Sequence, residues 1–203
     1  AIPNLELALF WPPSGIALCA LVLMGWRAVP GVFIGAMCAN FVQHGIGPEP
    51  LAWPLLISIS VAISFGSVLQ PAVGRLALRR FSSLDRPLGT GRKIVVFMRL
   101  APFICLVSPS IGIPTLVLSG LLDASSAPGA WAIWWVGDFL GLLAFFAISL
   151  TLVRQSRMRA FQIVTVAFVG LSSSYYVSTV IREQAWHVWY HEAERDVGRF
   201  SSE

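Results

Sequence analysis

The chain has 203 residues, of which 56% are hydrophobic and only 12% charged, with a formal net charge of +4 and a mean hydropathy of +0.75. Soluble domains carry about a quarter charged residues, so this composition excludes a soluble enzyme or binding module and indicates a multi-pass membrane protein. The basic residues flank apolar runs instead of forming one face, which points to membrane topology and away from nucleic acid.

A helix crossing a bilayer needs about 20 mostly apolar residues, fewer where neighbours shield its ends. The first predicted span covers residues 11–24 and the second 29–42. The third runs over 53–78 and is interrupted by Pro71. The fourth begins near Ile94 and is punctuated by Pro102, Pro109 and Pro114; the fifth covers 130–150 and the sixth 160–181. Residues 183–203 turn polar and read as an amphipathic helix outside the membrane. Cys19, Cys38 and Cys105 all fall in apolar spans and read as small buried hydrophobes.

Lys and Arg orient these spans. Arg27, then Arg75, Arg79, Arg80, Arg86, Arg92 and Lys93, then Arg154, Arg157 and Arg159 lie between spans. The loops "HGIGPEP" and "SGLLDASSAPGA" hold no basic residue. The positive-inside rule makes the first set cytoplasmic and the second external. The alternation then requires 94 to about 130 to cross once, with "SPSIGIPTLVLSGLL" re-entrant or lying at the outer surface. The expected fold is all-α: a polytopic bundle of about six spans over 1–182, then an external helix over 183–203 that starts a following domain or linker. Ala1 and the tail fall on the external side, so a helix before Ala1 is expected, as in a fragment of a longer chain.

Three motifs gather polar and aromatic residues toward the outer half of this bundle. "WPPSG" opens the first span with Trp11 and Ser14. "GAMCANFVQHG" closes the second with Asn40 and Gln43, after a GxxxG at Gly31 and Gly35 that suits close helix packing. "WAIWWVGDFLG" opens the fifth with Trp131, Trp134, Trp135 and Asp138, and a second GxxxG at Gly137 and Gly141. These residues form a candidate sensing pocket. The blander readings are that the tryptophans anchor in the headgroup belt, that Ser14 caps a helix and that Asn40 bonds between helices.

Asp138 needs compensation in an apolar span. A rise of 1.5 Å per residue puts it roughly 12 Å below the outer boundary and Arg99 roughly 10 Å above the inner one. An Asp138–Arg99 pair is expected on that geometry; alternatively Arg99 snorkels or Asp138 meets indole donors. His187 and His191, at i and i+4, are a weak metal-binding pattern on a helix face that also reads as solvated. No catalytic constellation is present, and no cofactor is expected.

The segment "WPPSGIALCALVLMGWRAVPGVFIGAMCANF" followed by "WAIWWVGDFLGLL" resembles the first class of bacterial membrane-associated sensor domains, the MASE family. The resemblance implies a multi-pass N-terminal input module of a histidine kinase (a two-component system) or of a cyclic-di-GMP synthase or phosphodiesterase in the inner membrane. It also implies a preceding helix, and the tail is similar to the start of a CHASE-type domain. The expected partners are the bilayer, downstream signalling domains of the same chain, a small-molecule or protein stimulus, and a second copy in a homodimer. A small-solute transporter or channel-like carrier is the alternative, since broken helices and midplane charge suit one.

Overall fold

The computed structural model describes residues 11–45, 51–82, 84–85 and 87–155, with the side chains of 43–45 and 153–155 excepted. This part comprises six helices: α1 (Pro12–Met24), α2 (Val29–Gly45), α3 (Trp53–Phe81), α4 (Gly91–Ile104), α5 (Val107–Leu118) and α6 (Ala127–Gln155). No strand occurs among the described residues. Among the described residues, four apolar runs are long enough to cross a bilayer: Pro12–Val42, Trp53–Phe81, Gly91–Leu118 and Ala127–Leu152. The first two expected spans merge in Pro12–Val42. The sixth span, and the tail helix with His187 and His191, lie outside the described residues.

Pro12–Val42 is not one rod. Gly25 closes α1 with φ +71°, a left-handed conformation that disfavours any residue with a Cβ. The chain then turns through a 3-10 segment, Gly25–Ala28. α2 returns antiparallel to α3: Val29 and Val32 share a cluster with Ala72, and Phe41 meets Trp53 with ring centroids 6.4 Å apart. α1 runs parallel to α3, with Leu18 facing Gly74 and the Leu21 and Val22 carbonyls at Arg75. It is also parallel to α6, with Trp11 at Gly137 and Gly15 at Phe146.

α4 and α5 form a single broken crossing, antiparallel to α3 and α6. Phe97 meets Phe146 at 4.9 Å between centroids, Pro102 meets Trp135, Ser108 meets Gln70 and Ser110 meets Trp131. "SPSIGIP", expected to be re-entrant or surface-lying, is therefore the helical continuation α5. Pro109 is tolerated because it sits in the first turn, where an amide has no partner within the helix. At the far end Gly120, at φ +75°, makes a Schellman closure: Leu121 N–H bonds Leu116 O at 3.0 Å and Gly120 N–H bonds Val117 O at 3.1 Å.

These registers bring Arg27, Arg79, Arg80, Arg92 and Lys93 to one end of the bundle, with Trp53 and Ala127 at the other. Against expectation, α1 does not open at a surface. Trp11 N–H donates to Gly137 O at 3.0 Å, about 15 Å along α6 from its start at Ala127. Its 13 residues span only about 20 Å, the half toward the basic end. A Pro-Pro pair marks where a helix begins but carries no information about depth. One apolar cluster, around Leu18, Ile104, Leu142 and Phe146, fills the basic half. A second, around Ile59, Ile63, Ile113 and Leu116, fills the opposite half. Asp138 lies between them.

Candidate functional site: a buried carboxyl where two helices begin

A helix that starts inside a bilayer leaves up to four amides without partners, each costly in hydrocarbon. α1 avoids most of this through its sequence. Pro12 and Pro13 occupy the first two positions and carry no N–H. The Trp11 amide goes to Gly137 O, and the Ser14 amide returns to Trp11 O at 3.3 Å. The start of α1 is thereby closed against α6 by backbone hydrogen bonds.

The α4–α5 break raises the same problem from both sides. It is closed by two side chains from neighbouring helices. On the carbonyl side, Trp135 Nε1 donates to Pro102 O at 2.9 Å. On the amide side, Ser108 N–H donates to Gln70 Oε1 at 3.1 Å; Pro109 has no amide to satisfy, and the Ser110 amide reaches Leu106 O at 3.3 Å.

Asp138 sits where these two starts meet. It is 1% exposed. Its Oδ1 accepts from Ser14 Oγ, on the first turn of α1. Its Oδ2 has no hydrogen-bond partner, although the side chains of Gln70, Ser108 and Trp134 also face the carboxyl. The amino ends of α1 and α5, each worth roughly half a positive charge, supply the compensation expected from Arg99. The Asp138–Arg99 pair is not made: Arg99 is exposed on the outside of α4. Axial depth was compatible with the pair, but helix rotation turned the two groups away from each other.

Above Asp138 the polar character continues along α3. Ser60 and Ser64 are fully buried and their hydroxyls have no partner. They lie 14 residues, nearly four turns, before Gly74 and Leu78, and so share the face of α3 that meets α1 lower down. Two buried hydroxyls and a carboxylate oxygen thus have hydrogen-bonding capacity left over in one half of the bundle, which is unusual in a native core.

Below Asp138, α1 is pressed against α6. A Cβ on Gly15 would lie 2.5 Å from Phe146 N and 2.7 Å from Gly141 O, and one on Gly141 would overlap the Trp11 carbonyl. At its far end α1 is held by α3: Arg75 donates to Leu21 O and, at 3.2 Å, to Val22 O, with its guanidinium 5.8 Å from the Trp26 ring. A cation on the carboxyl end and an anion at the amino end both match the helix dipole.

Of the expected pocket, the structure brings Trp11, Ser14, Trp134 and Asp138 together. Trp134 also packs its ring on Gly112. Trp131 and Trp135 form a stacked ladder with Phe139, at 6.4 and 5.9 Å between centroids, and Trp131 Nε1 bonds Ser110 Oγ at 3.2 Å. Asn40 is on α2, with its amide bonded to Ala36 O at 2.8 Å; it takes no part in the Asp138 contacts. The Gln43 side chain lies outside the described residues. Gly141 packs as its motif suggested, whereas Gly31 and Gly35 face open space. Cys38 is exposed, unlike buried Cys19 and Cys105. Sequence reasoning missed Gln70, Ser108 and Arg75. Gln70 and Ser108 each precede a proline in an apolar run, a signal that the freed backbone there needs a partner.

No curated protein matches the chain, and no solved structure does. The family model MASE1 matches residues 1–184, nearly the whole length, including both halves of the Asp138 site. The chain therefore belongs to the MASE1 family of membrane-associated sensor domains.

Proposed function

We propose that this chain is the membrane input module of a bacterial histidine kinase or cyclic-di-GMP synthase or phosphodiesterase, and that α1 is its moving part. In this reading the module sits in the inner membrane, with the basic end in the cytoplasm and the stimulus arriving from the other side. It acts within a homodimer on downstream domains of the same chain and uses no cofactor. The observation carrying the reading is the buried Asp138 carboxyl that Ser14 bonds at the start of α1.

A stimulus that supplies a hydrogen-bond donor to this carboxyl competes with Ser14 and loosens the amino end of α1. The helix then shifts along the glycine seam of α6, whose length carries the displacement to the basic end. Ligand and helix thus share one carboxyl, and a donor on Oδ2 that turns the group away from Ser14 has the differential affinity a switch requires. Moving such a switch from 1:99 to 99:1 takes about 5.5 kcal/mol of that difference. Family membership weighs against the transporter reading.

The test is the basal output of the full-length protein in native membranes. Ser14→Ala and Asp138→Asn should shift that output in the same direction while the protein still inserts. Output identical to wild type in both variants removes α1 from the signalling path.

A further inference from the structure

Arg99 lies about 12 Å along α4 from Gly91, within a run apolar enough to cross a bilayer, yet its side chain is exposed. Val95, Met98 and Phe103, at 47%, 54% and 68% exposure, are exposed on the same helix, so no other described helix covers this side of α4, within a run that suits the bilayer. No acidic residue occurs in α4 or α5. Asp138, the partner expected from its depth, is buried among α1, α5 and α6. A guanidinium on a lipid-facing surface at this depth costs several kcal/mol unless an anion meets it.

Arg92 is also exposed and lies seven residues before Arg99. Seven residues are almost two turns, so both project from one side of α4, about 10 Å apart along the axis. Helix geometry tilts each Cα–Cβ bond toward the amino end, which directs Arg99 down toward the level of Arg92. Arg92 leans the same way, so both guanidinium groups are directed along one side of α4 toward its basic end, and such forks fit a phosphate group, which accepts paired N–H donors.

We propose that α4 holds the headgroup of an anionic phospholipid between Arg92 and Arg99. A net negative lipid fits better than a zwitterionic one, because a choline or ethanolamine cation would be driven off by the same two charges. The site is distinct from the Asp138 centre and stands whether or not α1 moves.

The test is lipid retention by the full chain extracted from bilayers of equal phosphatidylglycerol and phosphatidylcholine, read by native mass spectrometry. Wild type should keep phosphatidylglycerol in excess. Arg99→Gln and Arg92→Gln should each lower the ratio about fivefold, with Arg99→Lys intermediate and Arg79→Gln unchanged. Because Arg99 is exposed, its variants should melt as wild type does, which separates loss of lipid from loss of fold. An unchanged ratio in Arg99→Gln overturns the proposal, since the guanidinium then reaches water alone. Equal losses in Arg79→Gln and Arg99→Gln also overturn it, as diffuse attraction. A dimer that retains no lipid and is abolished by Arg99→Gln assigns this face to a second copy instead.

Discussion

The indole nitrogen of Trp135 and the carbonyl oxygen of Pro102 are 2.9 Å apart, and this bond closes the carbonyl side of a helix interrupted inside the bundle. Its counterpart is Gln70 on Ser108 N–H. Trp135→Phe keeps most of the stacked ring and strands the carbonyl; Gln70→Leu strands the amide. Each should lower stability by about 1–3 kcal/mol, measured by thermal unfolding in lipid nanodiscs. No loss in either variant means the freed backbone groups find other partners.

Ser14 and Asp138 should behave as a unit. Ser14→Ala removes the hydrogen bond to Asp138 Oδ1 and should cost about 1–3 kcal/mol. Adding Asp138→Leu removes the acceptor as well and should recover part of that loss in a double-mutant cycle. Arg99→Gln, by contrast, should stay within about 0.5 kcal/mol of wild type. A large loss in Arg99→Gln alone would restore the ion pair that the structure rejects.

The two GxxxG motifs should respond differently. Gly141→Ala and Gly15→Ala each push a methyl group into backbone atoms, and backbone cannot yield as a side-chain tip can. Overpacking of this kind costs about 1–3 kcal/mol or more. Gly31→Ala and Gly35→Ala meet nothing within 4 Å and should be neutral or slightly stabilising, since alanine is the better helix former. Melting temperatures of the four single variants compare them directly; equal penalties would show that the α2 motif has a partner.

Arg75 should matter more than its half-buried position suggests. Arg75→Leu leaves the last carbonyls of α1 without a cation and should cost about 1–2 kcal/mol. Arg75→Lys keeps the charge but loses the planar contact with Trp26 and should fall between. Hydrogen exchange of residues 21–25 reads the same effect locally, and unchanged protection there would discount the clamp.

The helical class, the turn near Gly25 and the meeting of Ser14 with Asp138 are legible in the sequence, because apolar runs, prolines and an isolated carboxylate each carry a direct physical demand. Rotation is harder to read than depth. The depth of Arg99 placed it within reach of Asp138, yet its azimuth on α4 turned it outward; the seven-residue spacing from Arg92 marks that polar side and argues against the pair. In α2 the positions around Gly31 and Gly35 are almost all apolar, so no periodicity reveals their outward turn. Depth failed for α1, since a helix sealed by prolines can begin anywhere its amides find partners.

The two prolines that open α1 have a mechanical corollary. A helix head capped by ordinary amides would be pinned in hydrocarbon, since every small displacement would tear donors from their acceptors. With Pro12 and Pro13 in front, the Trp11 amide and the Ser14 hydroxyl are the hydrogen-bond donors that couple the head of α1 to α6. α1 therefore resembles a piston with a low-friction crown, bolted at two points to its cylinder wall, with Arg75 as the stop at its far end.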